Sequence, residues 1–356
     1  MAIPKFQTIK DSFHVELKKR INQYFETTGS PLTGNRHLYT KAIVLLGSFI
    51  LLYVHLVFFT PSVYLAIAEC MLMGVVAAAI GFNIMHDGAH GSFSKNKTIN
   101  QLAAFSLNLL GGSSFMWNVK HNVIHHAYTN IDGVDDDIDI QPWMRMSSTQ
   151  PKLAMHRYQH VYFWLLYSLL YVLWVFVMDY QKYFKKKIGP IPLKKMSRAD
   201  HIVFWGFKVL YLFLFVALPI YVVGFTMWLV GFLVFAVVTG LVISIVFQLA
   251  HTVEHTHFPV PHEETGKLED EWAVHQLKTT ANFATRNKFI SWLTGGLNFQ
   301  IEHHLFPKIS HVHYPALGKI IRQACAEYGV PYIEYPKMRY AIASHVAFLR
   351  KMGRGR

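Results

Sequence analysis

Long uncharged apolar runs dominate the pattern of this chain. Residues 42–60 and 63–85 each approach the roughly 20 apolar positions that a helix needs to cross about 30 Å of hydrocarbon, and only Pro61 and Ser62 separate them. They predict a transmembrane hairpin. Residues 202–223 and 226–249 predict a second, turning at Gly224 and Phe225. Two further stretches are weaker. Residues 101–117 are short and interrupted by Gly111, Gly112, Ser113 and Ser114, which suits a segment lying in the interface. Residues 161–178 are long enough to cross, but carry Tyr162, Trp164, Tyr167, Tyr171 and Trp174, side chains that favour the headgroup level.

Charge chooses between topologies. Lys5, Lys10, Lys18, Lys19, Arg20, Arg36 and Lys41 fall before or at the start of the first run, and Lys182, Lys185, Lys186, Lys187, Lys194, Lys195 and Arg198 precede the third. Both segments are expected on the cytoplasmic side, and neither hairpin turn holds Lys or Arg. Four crossings satisfy this only if 161–178 stays cytoplasmic as an interfacial helix; the competitor is five crossings with an external C-terminus. The expected fold is therefore an all-α integral membrane protein: two hairpins, interfacial helices at 101–117 and 161–178, and a cytoplasmic helical cap. Residues 1–41 form a cytoplasmic N-terminal segment, 42–313 the main domain and 314–356 a cytoplasmic C-terminal segment. Glu69 and Lys208, inside the runs, are expected to snorkel or pair locally, and His55 to be packed.

Composition agrees. Length alone suggests two soluble domains, but 52% hydrophobic and only 15% charged residues argue against that. The net charge of +13 points to anionic lipid or an acidic soluble partner at the membrane face rather than to nucleic acid. Two cysteines without a CxxC exclude a disulfide framework, a c-type haem and a thiolate cluster. The first forty residues lack a secretory signal, so the chain is expected to start on its native side.

Histidine, at 21 residues, is the unusual count. His86-Asp87-Gly88-Ala89-His90 follows the second run, and His121-Asn122-Val123-Ile124-His125-His126 lies in the next polar segment. Gln248, His251 and His255 close the last run, and Gln300-Ile301-Glu302-His303-His304 comes later. Residues four apart share one helix face. His86 pairs with His90, His121 with His125, His251 with His255 and Gln300 with His304, while His126 and His303 point about a quarter turn away, toward a second metal. All four clusters fall at the cytoplasmic ends of the two hairpins and can converge. Imidazole suits iron, copper, nickel and zinc, and so many ligands are too many for one zinc. HExxH is absent, and the paired Glu-x-x-His set of carboxylate di-iron bundles is not met. A histidine-rich dinuclear iron site fits. His14, His37, His156, His160, His201, His257, His262, His275, His311, His313 and His345 lack this pairing and are expected to be structural.

HDGAH, HNVIHH and QIEHH together resemble the three histidine boxes of the membrane-bound fatty acid desaturase superfamily, over about residues 41–313. Gln300 at the head of the third box is similar to front-end desaturases and to bacterial linoleoyl-CoA desaturase relatives. The resemblance implies iron ligands at His86, His90, His121, His125, His126, His303 and His304, with His251 as the additional ligand and His255 its rival. It implies two Fe²⁺, O₂ as co-substrate, an acyl-CoA or acyl-lipid substrate, and a cytoplasmic active site in a bacterial cell membrane. No HPGG motif of a fused cytochrome b5 is present, so electrons are expected from a separate ferredoxin, flavodoxin or cytochrome b5 and its reductase. Gln300, Gln248, Asp87 and Glu302 are further candidates for the metal or for the groups behind its ligands. Asp132, Asp135, Asp136, Asp137, Asp139 and Glu254 also crowd the boxes; some are expected to accept a ligand N–H, although each of Asp135 to Asp137 alone reads as a solvated loop residue. Trp117 and Trp143 are candidates for an acyl tunnel, or for an interfacial belt. A hydroxylase, ketolase or sphingolipid-modifying enzyme could use the same boxes, and a histidine-rich metal transporter is the reading from another class.

Overall fold

The computed structural model describes residues 3–7 and 12–355, so Lys10 of the basic leader lies outside the described residues. Among the described residues, five helices are long and apolar enough to cross a membrane: Arg36–Phe59, Val63–His90, Ala154–Lys185, Arg198–Val223 and Phe225–His251. Four of them coincide with the two hairpins read from the sequence. Asn35 caps the first by accepting from Leu38 N, and Gly224, at φ 86°, makes the turn between the last two.

The fifth is the Ala154–Lys185 helix, 32 residues long, which extends the expected 161–178 segment at both ends. By length and composition it equals the other four, so the crossing count is not decided by hydropathy. It packs along Phe225–His251 at Gly240, where a Cβ would lie 2.7 Å from the Ser168 carbonyl oxygen. Only glycine admits that approach. The 101–117 stretch resolves into the short helices Lys97–Ala104, Ser106–Leu109 and Ser114–Asn118, with exposed Leu102 and Leu109.

Both charges inside the runs are paired. Lys208 Nζ lies 3.1 Å from Asp179 Oδ2 and donates to the carbonyls of Gly111 at 2.6 Å and Val175 at 3.0 Å. Glu69 meets His55 Nδ1 at 2.9 Å.

The remaining chain folds over the box end of the long helices. Phe13–Thr28 begins at Ser12, whose side chain accepts from Val15 N, and stops at Gly29 with φ 63°. Its apolar positions recur every four residues, and Phe13, Leu17, Ile21 and Phe25 are buried with Leu277 of Trp272–Thr279, Ile301 of Gln300–Leu305 and Leu317 and Ile321 of Tyr314–Tyr328. A parallel pair, Asn282–Phe283 with Glu334–Tyr335, ties this layer to the C-terminal helix Met338–Arg354. An antiparallel pair, Lys187–Ile188 with Ile191–Pro192, follows Ala154–Lys185.

Candidate metal centre

The first box ends the Val63–His90 helix. Just before it, Gly81–Met85 is wound as a π-turn, a wider winding that re-aims the side chains after it. Asn83 holds the turn by donating to Ala79 O at 2.8 Å and Leu293 O at 2.9 Å. Gly88 lets Lys97–Ala104 close over the box, since a Cβ there would sit 2.6 Å from Ala103 Cβ. The second box is itself a π-turn, Val119–His125, continued by His126–Tyr128. This adds to the expected pairing of His121 with His125, whose rings stack with centroids 5.3 Å apart. In a π-turn the residue five positions on returns to the same face, and His126 Nε2 lies 3.2 Å from His121 Nε2.

The described histidines gather into two all-imidazole groups, and His121 and His125 also meet Asp137 in a third set. Ring nitrogens of His86, His90, His121 and His303 lie within 4.8 Å of one another, as do those of His125, His251 and His304. The neighbours His303 and His304 thus serve different groups. His126 stands between them, its ring centroid 4.6 Å from that of His303 and 4.4 Å from that of His304. Gln300 joins the second group, its amide nitrogen 3.0 Å from His251 Nε2 and 3.4 Å from His304 Nε2. His255 does not: it is exposed and stacks on Tyr335.

The far side of four of the rings is fixed by protein. His125 Nδ1 donates to Asp135 Oδ2 at 3.1 Å and faces Asp137 Oδ2 at 3.2 Å. His251 Nδ1 donates to Thr279 O at 3.2 Å, and His304 Nδ1 to Gln276 Oε1 at 2.8 Å. His303 Nδ1 meets the Tyr314 hydroxyl at 3.0 Å. Each bond leaves the other nitrogen, Nε2, turned inward. Asp135 is fully buried here, so it is not the solvated loop residue its sequence suggests. Gln276, Thr279 and Tyr314 belong to no box and carry no signal in the sequence.

The set fits a metal pair. Nε2 of His90, His125 and His303 and Nδ1 of His126 are buried without a hydrogen-bond partner, as is Gln300 Oε1. Buried polar atoms without a partner are costly, and His86 Nε2 stands only 3.2 Å from His121 Nε2, close enough for one cation to meet both. Burial, reinforced by the neighbouring imidazoles, holds His121, His126, His303 and His304 well below the usual histidine range, so they stay neutral ligands. His125 goes the other way. Burial lowers it, but the Asp135 and Asp137 carboxylates raise it more.

The acidic candidates inside the boxes face away. Asp87 Oδ2 accepts from Ser310 Oγ at 2.7 Å and lies 3.0 Å from His311 Nδ1, whose Nε2 is 3.0 Å from Lys41 Nζ. Glu302 accepts from Asn282 Nδ2 at 2.8 Å and from the Tyr332 hydroxyl at 2.7 Å, and burial pushes its carboxyl up to about 7 against those bonds. Both anchor their helices from behind. Gln248 is spent on Thr252, whose hydroxyl donates to its Oε1 at 2.8 Å. His156 and His345, read as structural, are buried and hydrogen-bonded away from the centre.

Two cavities adjoin the centre. One of about 230 Å³ reaches His121, His125 and His251 and is walled by Met116, Leu170 and Ile138, with Lys120, Asp136 and Lys182 at its polar end. A smaller apolar one, about 40 Å³, reaches His86 between Ala77, Gly81, Leu107 and Thr239. Trp117, Trp174, Ile243 and Phe247 line both. Trp117 is buried between the cavities, whereas Trp143 is exposed at the rim of the larger.

This combination of imidazole groups and apolar cavity has relatives. An acyl-lipid (8-3)-desaturase of Physcomitrium patens is 38% identical over 348 residues, 96% of this chain and 72% of that protein. An sn-1 linoleoyl-lipid 6-desaturase of Synechocystis sp. is 37% identical over 356 residues, covering 98% of this chain and 97% of the relative. A protein with that same name from Arthrospira platensis is 34% identical over 342 residues, 96% and 92% of the two chains. Residues 61–336 match the family described as fatty acid desaturase, a span that contains all three boxes and both cavities, and the chain belongs to that family.

Proposed function

We propose that this chain is a front-end acyl-lipid desaturase with a non-haem di-iron centre. The observation that carries the reading is the pair of buried imidazole groups set against the wall of a narrow apolar cavity. His86, His90, His121 and His303 would hold one metal, His125, His251 and His304 the other, and His126 borders both. The fourth position of the second group falls to Gln300, whose unpartnered amide oxygen reaches it directly or through water. Two Fe²⁺ there supply O₂ reduction, so that a CH₂–CH₂ unit, O₂, two electrons and two protons give CH=CH and two waters.

The protein's own share is placement and exclusion of water. Asp135, Gln276, Thr279 and Tyr314 fix which nitrogen each ring presents. Trp117 and Phe247 keep the acyl chain beside the rings and bulk water away from them. The charged end of the larger cavity, Lys120, Asp136 and Lys182, seats the polar end of the substrate, which places the reacting methylenes near the carboxyl side. The names of the relatives, acyl-lipid and linoleoyl-lipid desaturases, support an acyl-lipid over acyl-CoA.

Four crossings suit this reading, with Ala154–Lys185 on the box side. Tyr183, near its end, bonds His201 at the start of Arg198–Val223 at 2.8 Å. Gln159, near its other end, donates to Leu349 O of the C-terminal helix at 2.9 Å, and Tyr167, midway along, reaches through His345 of that same helix to Thr252, just past Phe225–His251. These contacts support placing both ends at one membrane face, and residues 186–197 are too few for a further helical crossing. That face would be cytoplasmic, where a separate ferredoxin, flavodoxin or cytochrome b5 delivers the electrons.

The test is gas chromatography with mass spectrometry of fatty acids from cells expressing the wild type or His125→Ala, with a competent donor and added oleic and linoleic acids. A new double bond made by the wild type alone supports desaturation and locates the carbon. Hydroxylated products instead would move the chain to the hydroxylase reading.

A further inference from the structure

Trp272 lies outside every box and holds no ring of the metal centre, yet it touches the backbone of one. Its indole N–H donates to the carbonyl oxygen of His126 at 3.1 Å. The same indole is partly exposed, and its ring meets His14 of Phe13–Thr28 at 4.9 Å. His126 is the imidazole placed between the two groups. One hydrogen bond and the covalent path through His126 Cα and Cβ thus join the protein surface to a ring that borders both metals.

We propose that Trp272 is where reducing equivalents reach the centre, brought by an acidic one-electron carrier of the ferredoxin class that seats beside His14. The proposal rests on the di-iron reading above. Electron transfer weakens more steeply across van der Waals gaps than along covalent and hydrogen-bonded contacts, so an exposed indole bonded to a ligand's backbone is a favoured route. Lys18 and Lys19, one turn beyond His14, are exposed and, among the described residues, in no ion pair, whereas Arg20 is bound to Glu16 and Glu327 and Lys278 to Asp270. They offer the acidic carrier two free cations. Each double bond oxidises two molecules of reduced carrier by one electron each. These two electrons, two protons from solvent and the two hydrogens of the acyl chain together reduce O₂ to two waters.

The experiment is anaerobic stopped-flow reduction of the oxidised, iron-loaded full chain in detergent, by reduced plant-type [2Fe–2S] ferredoxin and separately by dithionite. Trp272→Leu should slow reduction by ferredoxin about tenfold or more while dithionite reduction and iron content stay at the wild-type level. Trp272→Phe, which keeps a ring and loses the N–H donor, should fall between. Lys18→Glu with Lys19→Glu should raise the ferredoxin concentration for half-maximal rate at low salt and leave the limiting rate unchanged. Equal slowing by both reductants would make Trp272 merely structural and overturn the proposal. Wild-type ferredoxin rates in Trp272→Leu would overturn it too and move the arrival point to the partly exposed edge of His90. An unchanged half-maximal concentration in the lysine variant would remove the seat beside His14. A wild type that binds no iron would sink the di-iron reading itself, a failure visible before any variant is made.

Discussion

The indole of Trp117 lies almost flat on the imidazole of His121, centroids 4.3 Å apart and planes inclined by 23°. It also turns its edge to His86, 5.6 Å away, and lines both cavities. One side chain therefore both dries the imidazoles and closes the space available to an acyl chain. Trp117→Leu should join the two cavities. The expected result is a changed spread of accepted chain lengths or double-bond positions, with more O₂ consumed per double bond because water gains access. Product analysis beside an oxygen electrode checks both; an unaltered spread with full coupling would show that Trp117 is no partition.

Asp135 is fully buried and accepts from His125 Nδ1 at 3.1 Å while also accepting from Asn130 N at 2.9 Å. Asp135→Asn keeps the size and removes the charge that makes His125 the most basic ring of its group. Loss of such a partner behind a ligand costs about 10–100-fold in metal affinity. Metal analysis after dialysis should show the site of His125, His251 and His304 emptying first, toward one metal per chain. Retention of both metals would assign Asp135 to loop structure alone.

The two hairpins were legible because twenty-residue apolar runs broken at Pro61 and Gly224 leave few other solutions. The boxes were legible because histidine in repeated short-range pairs has little structural use. Other features depend on contacts distant in sequence. Gln276 and Tyr314 look ordinary until the chain brings them behind His304 and His303. The π-turn at Val119–His125 has no compositional signature, so a four-residue period pairs His121 with His125, on which it stacks, and misses the approach of His126. Nor does hydropathy separate a crossing helix from an interfacial one, and Ala154–Lys185 is as long as its neighbours and nearly as apolar.

Lys208 and Asp179 form a buried pair 3.1 Å apart, with Trp174 Nε1 donating to the other Asp179 oxygen at 3.1 Å. The pair joins Ala154–Lys185 to Arg198–Val223, and Lys208 also pins the Gly111 turn. Removing one partner leaves an unpaired buried charge, at a cost of about 3–5 kcal/mol. Lys208→Met should thus lower the unfolding temperature in detergent markedly, and Lys208→Met with Asp179→Leu should recover much of the loss. A double variant no better than the single would mean that the carbonyl contacts, not the charges, matter.

His345 is buried in the C-terminal helix between the Tyr167 hydroxyl, 2.9 Å from Nε2, and Thr252 O, 2.7 Å from Nδ1. Nδ1–H donates to the carbonyl and Nε2 accepts from the hydroxyl, which requires the neutral ring, and burial lowers its pKa to about 4. The unfolded chain takes up this proton near pH 6.5 and the folded chain only near 4. Stability from this group is therefore complete above about pH 6.5 and is lost progressively as pH falls toward 4, by a total of about 3 kcal/mol. Thermal unfolding between pH 8 and pH 4 should show the wild type losing stability more steeply than His345→Gln, whose side chain can keep a donor and an acceptor without titrating. The two curves should converge at the acid end, since the buried ring helps only while it is neutral. Parallel curves across that range would place the proton-linked loss among the metal-site histidines instead.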